Sequence, residues 1–274
     1  MNDVFRQMLA AHTMPGEDGQ RNALYEVMQQ VTLAGLARGG FFQEAAFYGG
    51  TCLRLFHGLK RYSEDMDFSL IKKNPDFQFE KYFPAIIEEA RLLGQEVTIT
   101  KKDKRTFDRV ESAFLKDTTD VYNIYFQTER SLRIKIEVDT NPPLSFATEQ
   151  RLMVQPYSFM VQCMTLPSLF AGKMHALVYR QWKNRVKGRD WYDFEWYVRN
   201  RIPLDFAHLQ ERAREFNGIE LTKDEFIRML KERFEKADIK QVKDDVMPFI
   251  ENIHELDIWS NEYFLQLVDM IIYK

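Results

Sequence analysis

Cysteine is nearly absent. Cys52 and Cys163 are the only two in 274 residues, too few for a disulfide framework or a Cys-rich zinc site. Histidine is almost as sparse, and His12, His57, His175, His208 and His254 show no ligand spacing, so a bound metal must be held mainly by oxygen. No uncharged apolar run reaches the roughly 18 residues a membrane span needs. The segment MNDVFRQMLAAHTMPGEDGQ lacks the basic and apolar regions of a secretory leader. A cytoplasmic location without membrane association is the resulting expectation. Positive charge is not in excess either: 38 Lys plus Arg against 41 Asp plus Glu gives a net charge of −3, which excludes a globally basic nucleic-acid coat. What the chain does have is 45% hydrophobic and 14% aromatic residues, enough for a real core in one large domain or two moderate ones.

Periodicity divides the chain. Residues 18–38 carry Leu24, Val27, Met28, Val31, Leu33 and Leu36 at helical spacing and stop at Gly39-Gly40, which predicts an amphipathic helix. AAFYGG followed by TCLRLFHG reads as strand, glycine turn and helix, the helix running from Thr51 to about His57. MDFSLI (66–71) is strand-like, and residues 79–94 are helical with Pro84 near the start. The period then shortens: 96–102, 109–116, 120–127, 132–139 and 152–163 alternate or are β-branched, as strands are. From Thr165 onward helical windows follow at 166–180, 190–200, 205–216, 222–236, 239–250 and 260–273. The expected fold class is α+β: an N-terminal lobe, 1–162, with a mixed sheet and flanking helices, and a helical lobe, 163–274, the boundary falling near 160–165.

Three features carry chemistry. Gly49-Gly50-Thr51 lies between an expected strand and an expected helix, where free backbone N–H groups and the positive helix end can receive phosphate oxygens. Asp65 and Asp67, at i and i+2, present two carboxylates on one strand face, a clamp for a hard divalent ion. The strand LRIKIEVDT places Arg133, Lys135, Glu137 and Asp139 on one face, so Glu137 or Asp139 can supply a third carboxylate; Glu137 lies deeper in the strand.

Gly49-Gly50-Thr51, Leu53-Arg54, Arg61, Ser63, Asp65 and Asp67, as GGT-x-LR followed by R-x-SEDMDF, resemble the nucleotidyltransferase motif of the DNA polymerase β-like superfamily, and more closely the AbiEii/AbiGii toxin nucleotidyltransferases. A later Lys173 in AGKMHALVYR and Arg189-Asp190-Trp191-Tyr192-Asp193 extend the resemblance over roughly residues 25–200. It implies a catalytic set of Asp65, Asp67, Lys173 and Asp193. Nucleotide would be bound by Gly49, Gly50, Thr51, Arg54, Arg61, Ser63 and Asp190. Asp65, Asp67 and Glu137 would hold Mg²⁺, with a two-ion site as one form. Asp193 would orient the attacking hydroxyl or hold nucleotide. Lys173 stands among Ala171, Gly172, Met174 and Ala176, where an ammonium must find an anion or reach solvent.

The implied reaction moves NMP from an NTP to an acceptor and releases pyrophosphate. By resemblance the acceptor is RNA, a tRNA 3′ end, and the protein is the toxin of a toxin–antitoxin or abortive-infection pair whose antitoxin is encoded nearby and need not touch it. A protein or small-molecule acceptor is the alternative, as is an inactive nucleotide-binding module. Two basic groups suit an RNA backbone: Arg180, Lys183, Arg185, Lys187 and Arg189, with Trp182 or Trp191 for stacking, and Lys101, Lys102, Lys104, Arg105 and Arg109 in a loop.

Overall fold

The computed structural model describes residues 2–12, 16–102, 118–127, 132–180 and 186–274. The expected strand at 109–116 lies outside them. The chain forms two compact units: Met1–His57, Glu64–Leu144 and Thr148–Cys163 in the first, and Gly58–Ser63, Ser145–Ala147 and Met164–Lys274 in the second. Among the described residues no helix is long and apolar enough to cross a membrane.

The first unit opens with α1 (Asp3–Ala10), capped by the Asn2 side chain accepting from the Val4 N–H, and α2 (Gly16–Arg38). β1 (Ala45–Tyr48), α3 (Gly49–His57) and β2 (Met66–Leu70) follow, then a 3-10 turn at Phe79–Tyr82 running into α4 (Phe83–Leu92). β3 (Val97–Lys101), β4 (Thr119–Phe126), β5 (Leu132–Asp139), β6 (Thr148–Met153) and β7 (Phe159–Met164) complete a seven-stranded sheet of order β3-β4-β5-β2-β1-β7-β6. The sheet is mixed: β1 runs antiparallel to β2 and parallel to β7, while β2 runs parallel to β5. With its flanking helices this is the α+β class the periodicity predicts.

Two expectations for this unit change. Residues 152–163 are not one strand but the end of β6, a reversal and β7. Pro156 has no N–H for a ladder and sits at that reversal. α2 is not amphipathic: residues 25–36 are all buried, Glu26, Gln29, Gln30 and Thr32 included. The helix packs against α1, α4 and β5, so little of its circumference is left for water. Its polar side chains find partners inside: Glu26 takes His12 and Arg54, Gln29 donates to the Glu64 carbonyl, and Thr32 donates to the Met28 carbonyl. Below the sheet, aromatic rings interlock: Phe41 and Phe47 each lie 5.0 Å from Phe68, and Phe79 lies 4.7 Å from Tyr122.

The second unit is helical: α5 (Leu166–Tyr179), α6 (Gly188–Arg199), α7 (Phe206–Asn217), α8 (Lys223–Lys236), α9 (Ile239–Val246) and α10 (Asn261–Val268). Trp191 of α6 is its hub, edge-on to Phe234 and Phe264 at 4.6 Å each. α6 starts hard against α9: the Gly188 N–H donates to Asp245, and a Cβ there would lie 2.0 Å from the Val242 carbonyl oxygen. The final helix stops at Val268 instead of running to 273, because residues 272–274 are drawn out beside Leu204. The Leu204 N–H donates to the Ile272 carbonyl, and the Lys274 N–H to the Leu204 carbonyl.

Helices α2 and α4 meet at Gly35, where a Cβ would come within 2.6 Å of the Ile86 Cα. Gly35→Ala therefore forces backbone apart and is expected to cost about 1–3 kcal/mol despite the better helix propensity of alanine, measured by denaturant unfolding.

Candidate active site

β1 ends at Tyr48, whose partner across the antiparallel pair is Asp67. Gly49 comes next, with φ +81°, and the Asp67 carboxylate packs so close that a Cβ on Gly49 would lie 2.1 Å from Oδ2. Glycine is required there twice, for the left-handed backbone and for the space. The turn leads into α3, whose first residues Gly50, Thr51, Cys52 and Leu53 are buried. The Thr51 hydroxyl donates to the Asp65 carbonyl, so it ties the start of α3 to the residue ahead of β2. Arg54, one turn on, is bound by Glu26 of α2, which also accepts from His12. Burial pushes the Glu26 carboxyl up, but the hydrogen bonds from His12 and Arg54 outweigh it and hold it below its ordinary value.

The β2–β5 register sets the two candidate third acids in different surroundings. Asp67 lies directly beside Glu137, and Asp139, two positions on at the end of β5, beside Ser69. Asp139 is buried and turned to local use, accepting from the Asn141 N–H and the Thr118 hydroxyl. Strand alternation puts Asp65, Asp67, Lys135 and Glu137 on one face. The Lys135 ammonium sits 2.5 Å from Glu137 Oε1, both side chains 21% exposed. Burial alone would lower the Lys135 pKa, yet Glu137 first, then Asp65 and Asp67, hold it above the ordinary lysine value.

Among the described residues no three carboxylate, imidazole or thiol side chains stand close enough to hold a metal ion. The donor set nonetheless fits a hard ion: Asp65, Asp67 and Glu137 offer only oxygen, and a cationic group of the chain already stands among them.

The second unit holds the remaining candidates, Ser63 lying half-buried in its Gly58–Ser63 segment. Arg61 grips Asp193 with two parallel bonds, Nε to Oδ1 at 2.6 Å and Nη2 to Oδ2 at 2.7 Å, and donates Nη1 to the Tyr62 carbonyl. Lys173 bridges Asp190 and Asp193 at 2.8 Å each, and Arg180 takes the other Asp190 oxygen at 2.5 Å. Asp193 is 0% exposed and the Lys173 side chain 15%. Burial raises both carboxyls, but Arg61 and Lys173 pull Asp193 below its ordinary value, and Arg180 and Lys173 do so for Asp190. Burial lowers Lys173, and the two carboxylates more than restore it. Three cations and two anions leave this cluster one positive charge in excess. With both oxygens taken and its basicity suppressed, Asp193 is built to hold Lys173 in place.

Of the residues considered for RNA stacking, Trp191 is fully buried in the α6–α8–α10 core. Trp182, Lys183 and Arg185 lie outside the described residues, as do Lys104, Arg105 and Arg109. Arg180 is engaged by Asp190, Arg189 covers the Phe249 ring at 4.2 Å, and Lys101 ends β3 paired with Asp120 and Glu80. Sequence reading passed over three pairings: Glu26–Arg54, Arg61–Asp193 and Lys135–Glu137. Only the last had a visible cue, the i, i+2 alternation of Lys-x-Glu in a strand.

A mixed sheet carrying a glycine turn, a helix start and neighbouring strand carboxylates defines a nucleotidyltransferase-type fold. The sequence matches the family model described as nucleotidyl transferase AbiEii toxin, type IV toxin–antitoxin system, over residues 31–267, and the chain belongs to that family of nucleotidyltransferases. Membership implies an NTP substrate and an antitoxin counterpart. Solved structures share the fold at low identity. MenT4, a nucleotidyltransferase toxin of Mycobacterium tuberculosis H37Rv, is 15% identical with a TM-score of 0.54, over 96% of this chain and 98% of that one. JHP933 of Helicobacter pylori is 17% identical with a TM-score of 0.50, over 91% and 90%. A candidate nucleotidyltransferase of Helicobacter pylori is 18% identical with a TM-score of 0.50, over 91% and 92%. No curated protein matches the sequence.

Two outcomes follow from this geometry. Asp193→Asn leaves the buried Arg61 guanidinium without its counter-charge and is expected to cost about 3–5 kcal/mol in denaturant unfolding. Because both carboxyls are held below their unfolded values near pH 4, their stabilisation is full above that pH and is lost as pH falls through the lowered folded values; the variant's stability should therefore decline less steeply below about pH 4. Gly49→Ala should displace Asp67 and strain the turn, lowering stability by about 1–3 kcal/mol in the same measurement.

Proposed function

We propose that the protein transfers an NMP from an NTP to an RNA acceptor, the 3′ end of a tRNA, and thereby acts as the toxin of its pair by blocking translation. The observation that carries this reading is the Asp67–Glu137 juxtaposition on β2 and β5 with the Gly49 turn packed against Asp67. Asp65, Asp67 and Glu137 would hold Mg²⁺, in a one- or two-ion arrangement. Such an ion, when bound, would supply charge neutralisation to the triphosphate and polarise the α-phosphate. The backbone of Gly49 and Gly50 at the α3 N-terminus receives phosphate oxygens, and Ser63 is kept as a further nucleotide contact. Lys173 supplies a fixed ammonium for phosphate, with Asp190, Asp193, Arg61 and Arg180 holding it there. Arg61 and Arg54 serve the fold through Asp193 and Glu26.

The acceptor hydroxyl oxygen forms a bond to the α-phosphorus, the bond from that phosphorus to the bridging α–β oxygen breaks, pyrophosphate leaves and the hydroxyl proton passes to solvent. Positioning and charge neutralisation carry the rate, so no side chain with an unusual basicity is required. The antitoxin encoded nearby acts without obligatory contact.

Purified protein incubated with Mg²⁺, each α-labelled NTP in turn and total bacterial tRNA should label tRNA. Asp65→Ala and Lys173→Ala should lower the rate by at least about a hundredfold, in line with loss of a preorganised charge. Label on protein or small molecules would move the acceptor class, and the absence of transfer despite NTP binding would overturn the enzymatic reading.

A further inference from the structure

Lys135 stands on the carboxylate face of β2 and β5, and the transfer reaction leaves it without a task. Its ammonium stands 2.5 Å from Glu137 Oε1 and is attracted by Asp65 and Asp67 as well. The strand register explains why: Met66 pairs with Ile136 and Asp67 with Glu137, so the position before Met66 and the position before Ile136, Asp65 and Lys135, fall at the same level. Three like charges on one sheet face repel one another. Lys135 provides one cation, at the place where the hard ion of the proposed reaction would sit.

We propose that Lys135 is a resident counter-cation of the metal site, holding Glu137 while the site is empty and competing with the divalent ion for the same oxygens. Resting on the metal-dependent reading above, this makes Lys135 a positioning residue that sets how much free metal the protein needs. The chemistry suits lysine: an ammonium on a four-carbon stem with rotatable donors can leave Glu137 for solvent without any backbone movement. Arginine, planar and able to grip a carboxylate with two bonds, would release it less readily. The competition also explains why a single charge was placed there instead of an apolar neighbour. With it, metal binding exchanges one cation for another.

The test is binding of Mn²⁺ alone to the full-length, nucleotide-free protein, read by the paramagnetic resonance signal of free ion. Thermal melting is followed with and without the ion. Lys135→Met is expected to bind Mn²⁺ about tenfold more tightly, to melt lower than the parent without metal, and to gain more melting temperature when Mn²⁺ is added. Lys135→Arg, which keeps the charge and guards against a folding failure of the methionine variant, is expected to bind no more tightly than the parent. Unchanged or weaker Mn²⁺ binding by Lys135→Met would overturn the proposal, the weaker result indicating that Lys135 instead braces Glu137 as a ligand. Asp67→Ala separates the two readings: parental Mn²⁺ affinity in that variant would sink the metal site itself, whereas loss of binding there with no effect of Lys135→Met would sink only the counter-cation.

Discussion

Carboxylates brought together on one face of a sheet repel, and the first unit sets Asp67 beside Glu137 with Asp65 just ahead on the same strand face. The parallel pairing of β2 and β5 sets Asp67 against Glu137. The Thr51 hydroxyl fixes the backbone at Asp65, and the bare α-carbon of Gly49 leaves room for the Asp67 carboxylate. Lys135 then supplies charge of the opposite sign. The strand–turn–helix–strand order of β1, α3 and β2 delivers Gly49, Thr51, Asp65 and Asp67 from contiguous chain, and β5 brings Lys135 and Glu137 to them from farther along.

The helical unit meets the opposite problem, an excess of positive charge under burial. Asp190 and Asp193 divide three cations between them, and the two-bond grip of Arg61 fixes the orientation of Asp193. An ammonium constrained by two carboxylates gives up little further side-chain entropy when it meets an anion. Buried ion pairs contribute modestly to stability at best, since desolvation offsets much of their attraction. What the network provides is a cation whose place is set before any ligand arrives.

The alternation of LRIKIEVD and the Asp-x-Asp of DMDFSL made both strands and the carboxylate face legible, because a period of two assigns faces without any knowledge of partners. That Glu137, and not Asp139, lies beside Asp67 depends on the register, a long-range property that residue types do not encode locally. The role of Arg61 was hidden for the same reason: Asp193 lies 132 positions away, and nothing near Arg61 announces a buried carboxylate. α2 misled because Glu26, Gln29 and Gln30 look like a solvent face, when each is buried. Polar residues mark a solvent face only if the chain supplies no internal partners.

That burial has a consequence for α2 as an object. A helix apolar all round can turn about its axis, or slide by a residue, at small cost. Glu26 and Gln29 remove that freedom, since the His12, Arg54 and Glu64 groups they meet exist at one azimuth and one height only. The polar positions work as the bitting of a key, so the interior of the unit accepts α2 in a single setting. Arg54, joined to Glu26 from the last turn of α3, takes its own alignment from that setting.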